Sequence, residues 1–366
     1  MLTGIGLISI WADQRADVGK QAKFLAAAVV GLALFQVVNY QLLGRLAWAF
    51  YGFSILLILY TVAGGAMGLP GVRRTNGATA WIYFGSMSFQ PAELMKLAFI
   101  MVMARYLRFR SNYRSVRGLV PPFLLAGVPL LCIMKQPDLG TALVFIPVLF
   151  AMLFCAGARL RHLLPIVVAA VVLAPFAYLA GTDTPFFRHL PAVVKGYQRD
   201  RVKAMFTRDQ RTLQGTGFQQ EHALTAFGSG GFAGKGFGNI PVGQMVPEAH
   251  NDMIFALVGE QFGLLGATAV LVAYVVLFAS GVEIAANNRD PFGRLVAVGI
   301  VAMFAGQTFI NIMVSLRLMP VTGITLPFVS YGGTSLLASY MAAGLLLNIG
   351  QNRPLVMAKD AFEFGE

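Results

Sequence analysis

The sequence predicts an all-α polytopic membrane protein, and three observations predict it. Hydrophobic residues make up 57% of the 366 residues and charged residues only 12%, where a soluble chain carries about 25% charge. Mean hydropathy is +0.68. Apolar stretches long enough to cross ~30 Å of hydrocarbon recur along the whole length. The net charge of +12 does not point to nucleic acid, because the Arg and Lys residues are scattered over short loops between the apolar stretches. That distribution fits anionic membrane lipids and topology control. Cys132 and Cys155 fall inside apolar segments and read as packing residues, so no disulfide framework is implied.

Residues 1–11 are apolar but too short to cross alone. They read as the end of a first helix whose beginning is absent from this sequence. A cleaved signal peptide is the rival reading, but it would carry a basic n-region and a small-residue cleavage site, and neither is present. Full spans are expected near 24–43, 46–68, 92–107, 119–136, 138–157, 163–181, 253–281, 295–316 and 334–350, within a single integral membrane domain over 1–366. Alternate loops differ in basic content. One set carries Arg45, then Arg105, Arg108, Arg110, Arg114 and Arg117, then Arg159 and Arg161, then Arg289 and Arg294, then Arg353 and Lys359. The opposite set carries Arg15, Lys20, Lys23, Arg73, Arg74, Lys135 and Arg317. The richer set is predicted to be cytoplasmic, which puts the C-terminus inside and residues 182–252 outside. A connection of that length is usually functional.

Within this outer loop, residues 197–213 are basic and amphipathic and suit a helix at the membrane surface. Residues 215–243 are rich in glycine. They fail the Walker pattern, because Lys235 is followed by Gly236 rather than Ser or Thr. Tight turns and close backbone approach are the expected use of these glycines; a pyrophosphate-binding nest is the alternative. No internal repeat is visible, so nothing points directly to an inverted-repeat transporter.

Chemistry is expected where polar side chains meet apolar sequence. In Pro247-Glu-Ala-His-Asn-Asp-Met-Ile-Phe255, the residues Glu248, His250, Asn251 and Asp252 abut a long span. Ionisable groups at that depth are costly and are usually kept for function. A carboxylate at a helix mouth can take the proton of an acceptor hydroxyl while the lipid part of a substrate stays in the bilayer. The alternative is that Asn251 or Asp252 caps the helix beginning at Met253. His250 reads as a hydrogen-bonding partner, because four histidines and no Cys/His spacing do not make a zinc site.

In Gln90-Pro-Ala-Glu-Leu-Met-Lys96, Pro91 suits a first helical turn. Glu93 and Lys96 then share one face and can pair, either structurally or beside a cavity. In Lys135-Gln-Pro-Asp138-Leu-Gly140, a sharp turn presents Asp138, which can pair with Lys96 or Lys135 or hold a cation. Residues 317–335 interrupt apolar sequence with two prolines, three glycines and several hydroxyls, Ser330 among them. Such backbone is tolerated at membrane depth only when buried or lining a wet cavity, here the one expected at Asp252. Residues 73–84 join Arg73 and Arg74 to Trp81 and Tyr83. Interfacial anchoring explains the aromatics, and the arginines could meet phosphates.

Taken in order, these segments resemble the SEDS family (shape, elongation, division and sporulation), the RodA and FtsW proteins of bacterial cell-wall synthesis. The resemblance runs over roughly residues 20–355. It is carried by Asn76-Gly-Ala-Thr-Ala-Trp81, Gln90–Lys96, Gln136-Pro-Asp-Leu-Gly-Thr-Ala142, Gly228-Ser-Gly-Gly231, Pro247–Phe255 and Pro327-Phe-Val-Ser-Tyr-Gly-Gly333. Tyr197-Gln-Arg-Asp-Arg201 leans towards RodA and Thr325-Leu-Pro-Phe328 slightly towards FtsW; RodA is favoured. The chain departs from the family in having Asn251 inside the usual His-Thr-Asp. It also has His222-Ala223 where Gln-Ser often stands, and nine full spans where the family has ten.

The resemblance implies a SEDS-type helix bundle and a peptidoglycan glycosyltransferase. Such a protein polymerises lipid II outside the cytoplasmic membrane beside a class B penicillin-binding protein and other elongation or division proteins. By carry-over, Asp252 matches the family's essential acid. Glu93, Lys96 and Asp138 match its functional polar residues in the membrane, and Trp81 a sensitive aromatic. The expected mechanism has Asp252 deprotonate the acceptor GlcNAc 4-hydroxyl, which attacks the donor MurNAc anomeric carbon. Undecaprenyl pyrophosphate leaves with inversion. Arg199, Arg201, Lys96 and Lys235 are candidate cations for the leaving group, or a divalent ion (Mg or Mn), for which no ligand set can be read. His250, Glu248 and Ser330 complete the expected substrate-binding set. A lipid II flippase and a non-catalytic scaffold for the penicillin-binding protein are the alternatives.

Overall fold

The structure, a computed structural model, describes residues 1–13, 16–73, 78–85, 87–110, 112–182, 187–191, 194–206 and 216–351. Arg15, Arg74, Arg353 and Lys359 of the charge pattern, Asn76 and Gly77, and residues 207–213 of the expected surface helix lie outside the described residues.

The first element is α1 (Leu2–Ala12), followed by α2 (Val18–Val37). Helix α2 begins earlier than the expected 24–43 because the Asp17 side chain accepts a hydrogen bond from the Lys20 amide. It ends earlier because Asn39 caps a separate short helix, α3 (Tyr40–Arg45). Next, α4 (Ala47–Met67) stops at Gly68, which takes the left-handed conformation (φ 67°). A small antiparallel hairpin, β1 (Ile82–Phe84) and β2 (Met87–Phe89), follows with Tyr83 opposite Ser88.

Four helices come next: α5 (Pro91–Arg108), α6 (Val120–Lys135), α7 (Leu139–Cys155) and α8 (Leu160–Leu179). The long connection holds α9 (Gly196–Phe206), α10 (Thr216–Ser229) and the four-residue α11 (Ala249–Asp252). The chain then runs through α12 (Ile254–Asn287), α13 (Pro291–Ser315) and α14 (Gly333–Gln351). Among the described residues, seven helices are long and apolar enough to cross a membrane: α2, α4, α6, α8, α12, α13 and α14. Helix α7 is apolar but shorter, and α5 carries four charges over its 18 residues. Each expected span is helical, the first being divided between α2 and α3.

Helix α13 is the axis of the bundle, packed by α5, α7, α12 and α14, and α2 lies along α14. Helix α8 is the opposite case, with only Leu163 buried along its length.

Helix α12 is not straight. Gly263 (φ 62°, ψ −160°) breaks its hydrogen-bond ladder, and the glycine-rich segment repairs the break. The Lys235 and Gly236 amides donate to the carbonyls of Glu260 (2.9 Å) and Gln261 (3.1 Å). In return, Leu264 and Leu265 donate to Gly231 (2.9 Å) and Phe232 (3.2 Å). Each orphaned backbone group so finds a partner, as it must away from water. The glycines therefore serve close approach, and the amides of a pyrophosphate nest are already committed. A Cβ on Gly230 would lie 1.9 Å from the Gly259 carbonyl oxygen, and backbone there cannot yield. Gly230→Ala is expected to cost about 1–3 kcal/mol, seen as a lower melting temperature in detergent.

Candidate active site

A cavity of about 1280 Å³ opens among the starts of α2, α5, α7 and α14, beside α11 and Gln307 of α13. The hairpin, α9 and residues 322–325 and 331–335 complete its walls. It brings together Trp81, Glu93, Lys96, Asp138, Arg201, Glu248 and Asp252. These come from segments far apart in sequence, and each is aimed by local chemistry.

Asp252 ends α11. Glu248, just before this helix, sits in the left-handed region (φ 53°), an uncommon and costly conformation for a non-glycine residue. The reversal buries Ala249, His250 and Met253 and turns Asn251 and Asp252 to the cavity. Asn251 Nδ2 donates to Glu248 Oε2 (2.5 Å). On α13, Asn311 Nδ2 donates to the backbone oxygens of both Asp252 (2.9 Å) and Ile324 (2.7 Å). The Asp252 side chain does not cap α12, whose N-cap is Met253 and which has no side-chain cap. Its Oδ1 is buried and has no hydrogen-bond partner among the described residues. Burial pushes its carboxyl up to about 6; Glu248 adds to the rise, and Arg201 and His250 oppose it. A carboxylate with one buried, unpartnered oxygen and a raised proton affinity, in a cleft, is a functional-site candidate.

Across the cavity, Lys96 Nζ meets Glu93 Oε1 at 2.8 Å, with both residues under 10% exposed. Asp138 pairs with neither Lys96 nor Lys135. The turn at Pro137 places it as the cap of α7, where Oδ1 accepts from the Thr141 amide (3.0 Å). Its Oδ2 accepts from Thr141 Oγ1 and from Gln90 Nε2 (2.8 Å each), tying the starts of α5 and α7 together. Thr334 Oγ1 accepts from the Gln90 amide (3.1 Å) and donates to the Ser88 carbonyl (3.2 Å), which seats the hairpin on α14. Trp81 and Tyr83 thereby face the cavity rather than serving only as interfacial anchors.

Four expected site residues lie elsewhere. His250 is behind the wall, its Nδ1 2.8 Å from Asp13 Oδ2. Arg199 is held by the Ala180 and Gly181 carbonyls at the end of α8. Lys235 pairs with the fully buried Glu260 at 2.6 Å, where Glu260 also accepts from the amides of Val242 and Gly243. Ser330 is buried, and its hydroxyl accepts from the Leu326 amide (2.7 Å). Sequence reasoning missed Asp13, Asn311, Gln307 and Lys195, and took Lys20 only as a topology signal. Gln307, Lys195 and Lys20 line the cavity. Gln307 and Asn311, four apart inside an apolar helix, were the available signal. Among the described residues, no three His, Cys, Asp or Glu side chains converge as a metal site.

Comparison with known proteins agrees with this architecture. Residues 7–354 match the FtsW/RodA/SpoVE family, described as cell cycle proteins. Stage V sporulation protein E of Bacillus subtilis is 36% identical over 369 residues, which span 96% of this chain and 94% of that protein. The probable peptidoglycan glycosyltransferase FtsW of Trichlorobacter lovleyi is 32% identical over 98% of this chain and 93% of its own. Among solved structures, the rod shape determining protein RodA of Thermus thermophilus superposes with a TM-score of 0.68. It is 27% identical, over 96% of this chain and 94% of that one. A chain from a study of the structural coordination of polymerization and crosslinking by a peptidoglycan synthase complex gives a TM-score of 0.80 at 28% identity, over 97% and 96%. On sequence and on fold alike, this chain belongs to the FtsW/RodA/SpoVE family.

Proposed function

We infer that this protein is a peptidoglycan glycosyltransferase that polymerises lipid II, with Asp252 as its general base. The observation that carries the assignment of the base is the Asp252 carboxylate. It stands in the wall of a large cavity that several charged side chains share, with one oxygen unpartnered. Asp252 takes the proton of the acceptor 4-hydroxyl as that oxygen bonds to the donor's anomeric carbon. The bond from that carbon to the pyrophosphate breaks, and undecaprenyl pyrophosphate leaves with the electron pair. Arg201, Lys20 and Lys195 line the same cavity and can offset the charge that develops there. Lys96 stands among them, already paired with Glu93. Trp81 and Tyr83 offer flat apolar faces to the sugars.

A divalent cation fits only as a shared site. Mg²⁺ is commonly held by one or two carboxylates plus substrate phosphates, and Asp252 and Glu248 line the cavity close enough to feel each other's charge. Such an ion would supply further neutralisation of the leaving group.

The basic-loop bias supports an extracytoplasmic cavity and a cytoplasmic C-terminus. The described arginines at 45, 105, 108, 110, 114, 117, 159, 161, 289 and 294 lie at or next to the helix ends remote from the cavity. A class B penicillin-binding protein is the proposed partner, by analogy with the complex that couples polymerization to crosslinking.

The test is purified protein in liposomes with labelled lipid II, alone and with that partner. Polymer supports the enzyme; transbilayer movement of label with no polymer supports a flippase instead. The pH profile is a second check. A base must be ionised, so kcat/KM is expected to rise with pH through about 6 and level off above it. Arg201→Gln removes an opposing cation and should move this limb to higher pH, and Glu248→Gln should move it lower. A profile indifferent to both substitutions would remove Asp252 from the role.

A further inference from the structure

We propose that Asp13 is a positioning residue for the transferase reaction, acting through His250 to hold the short helix that carries Asp252. The inference rests on the reading of Asp252 as base. Asp13 lies just beyond α1, in the connection to α2, and is 1% exposed. Its Oδ2 meets His250 Nδ1 at 2.8 Å across 237 positions of sequence. A buried carboxylate is costly unless paired and hydrogen-bonded, and the steps assigned to the cavity do not use this one.

The pair lies one layer behind the cavity. His250 does not line the wall, but its neighbours Asn251 and Asp252 do. The imidazole packs edge-on against Tyr331 at 5.2 Å between centroids, and the His250 carbonyl accepts from the Tyr331 amide (2.8 Å). Tyr331 is itself a cavity residue. Asp13 therefore fixes the ring through Nδ1, the ring fixes the four-residue turn and the adjoining wall at Tyr331, and both set where the Asp252 carboxylate stands. A helix of one turn has too few internal bonds to hold itself, so an external clamp of this kind is what a defined carboxylate position requires. Asn311 holds the same turn from the α13 side.

The experiment is a double-mutant cycle on the full chain in liposomes, with polymerisation kinetics and melting temperature read for every variant. Asp13→Ala should lower kcat about 100-fold, the scale of a small misplacement of a catalytic group, with KM for lipid II nearly unchanged. Asp13→Asn keeps an acceptor for Nδ1 and should recover most of the rate. His250→Ala should resemble Asp13→Ala, and the double variant should be no slower than either single, because both remove one linkage. Additive losses, a rise in KM at constant kcat, or a rate loss that merely follows the fraction unfolded would each overturn the role. Wild type that polymerises, with Asp13→Ala and Asp13→Asn equally active, would overturn this inference and leave the glycosyltransferase reading standing. Wild type that makes no polymer would overturn both.

Discussion

Asp252→Asn is expected to abolish glycan polymerisation while the protein stays folded. Asparagine has the shape of aspartate but cannot accept the acceptor's proton, and loss of a general base costs about 10²–10⁴-fold in rate. The fold has little to lose. Asp252 Oδ1 makes no hydrogen bond among the described residues, and burial disfavours its charged form. A neutral amide there should leave the melting temperature unchanged or raise it slightly. Gel analysis of polymer from labelled lipid II, beside a thermal shift of the same sample, reads both. Full activity from folded Asp252→Asn would end the general-base assignment.

The second large effect concerns Glu93 and Lys96. Removing one partner of a buried ion pair leaves a bare charge in a medium that cannot solvate it, at a cost of about 3–5 kcal/mol. Lys96→Met alone should therefore melt well below wild type. Glu93→Gln with Lys96→Met removes both charges at once and should regain most of that stability. Activity should not return with it, because the cavity then lacks the lysine proposed to act on the substrate. This separates structure from chemistry: a double variant that regains both melting temperature and polymer would make the pair structural only.

Much of the fold was legible because a bilayer imposes a strict rule. Apolar stretches of the right length become helices, and the expected spans did so, the first of them in two pieces. What was not legible came from specific local bonds. The Asp17 and Asn39 caps moved the ends of the first span. The kink at Gly263 depends on backbone exchange with the glycine-rich segment at 231–236, well upstream in the chain. The hairpin at 82–89 is too short for period-two patterning to reveal.

The site divided in the same way. Asp252, Glu93, Lys96, Asp138, Glu248, Trp81 and Arg201 meet at one cavity, and the placing of acids and bases against apolar sequence had marked most of them. Arg199, Lys235 and Ser330 misled because a charge or hydroxyl in a polar loop says nothing about its partner. Lys235 is matched to Glu260 inside what reads as a plain apolar helix. Asp13 was invisible for the complementary reason, since its partner is 237 positions away.

Helix α5 carries a consequence for how the protein is made. Glu93, Lys96, Arg105 and Arg108 all fall on it, the first two within its first six residues and the last two in its final turn, and charges in a spanning segment weigh against its partition into lipid. A segment of this kind is a poor candidate to leave the translocon by itself. Its stability in the bilayer comes from α4, α7, α13 and α14 packed around it, two of which are synthesised only near the end of the chain. Biogenesis is then a collective event, in which the charged centre of the enzyme is secured in lipid only as the last helices arrive.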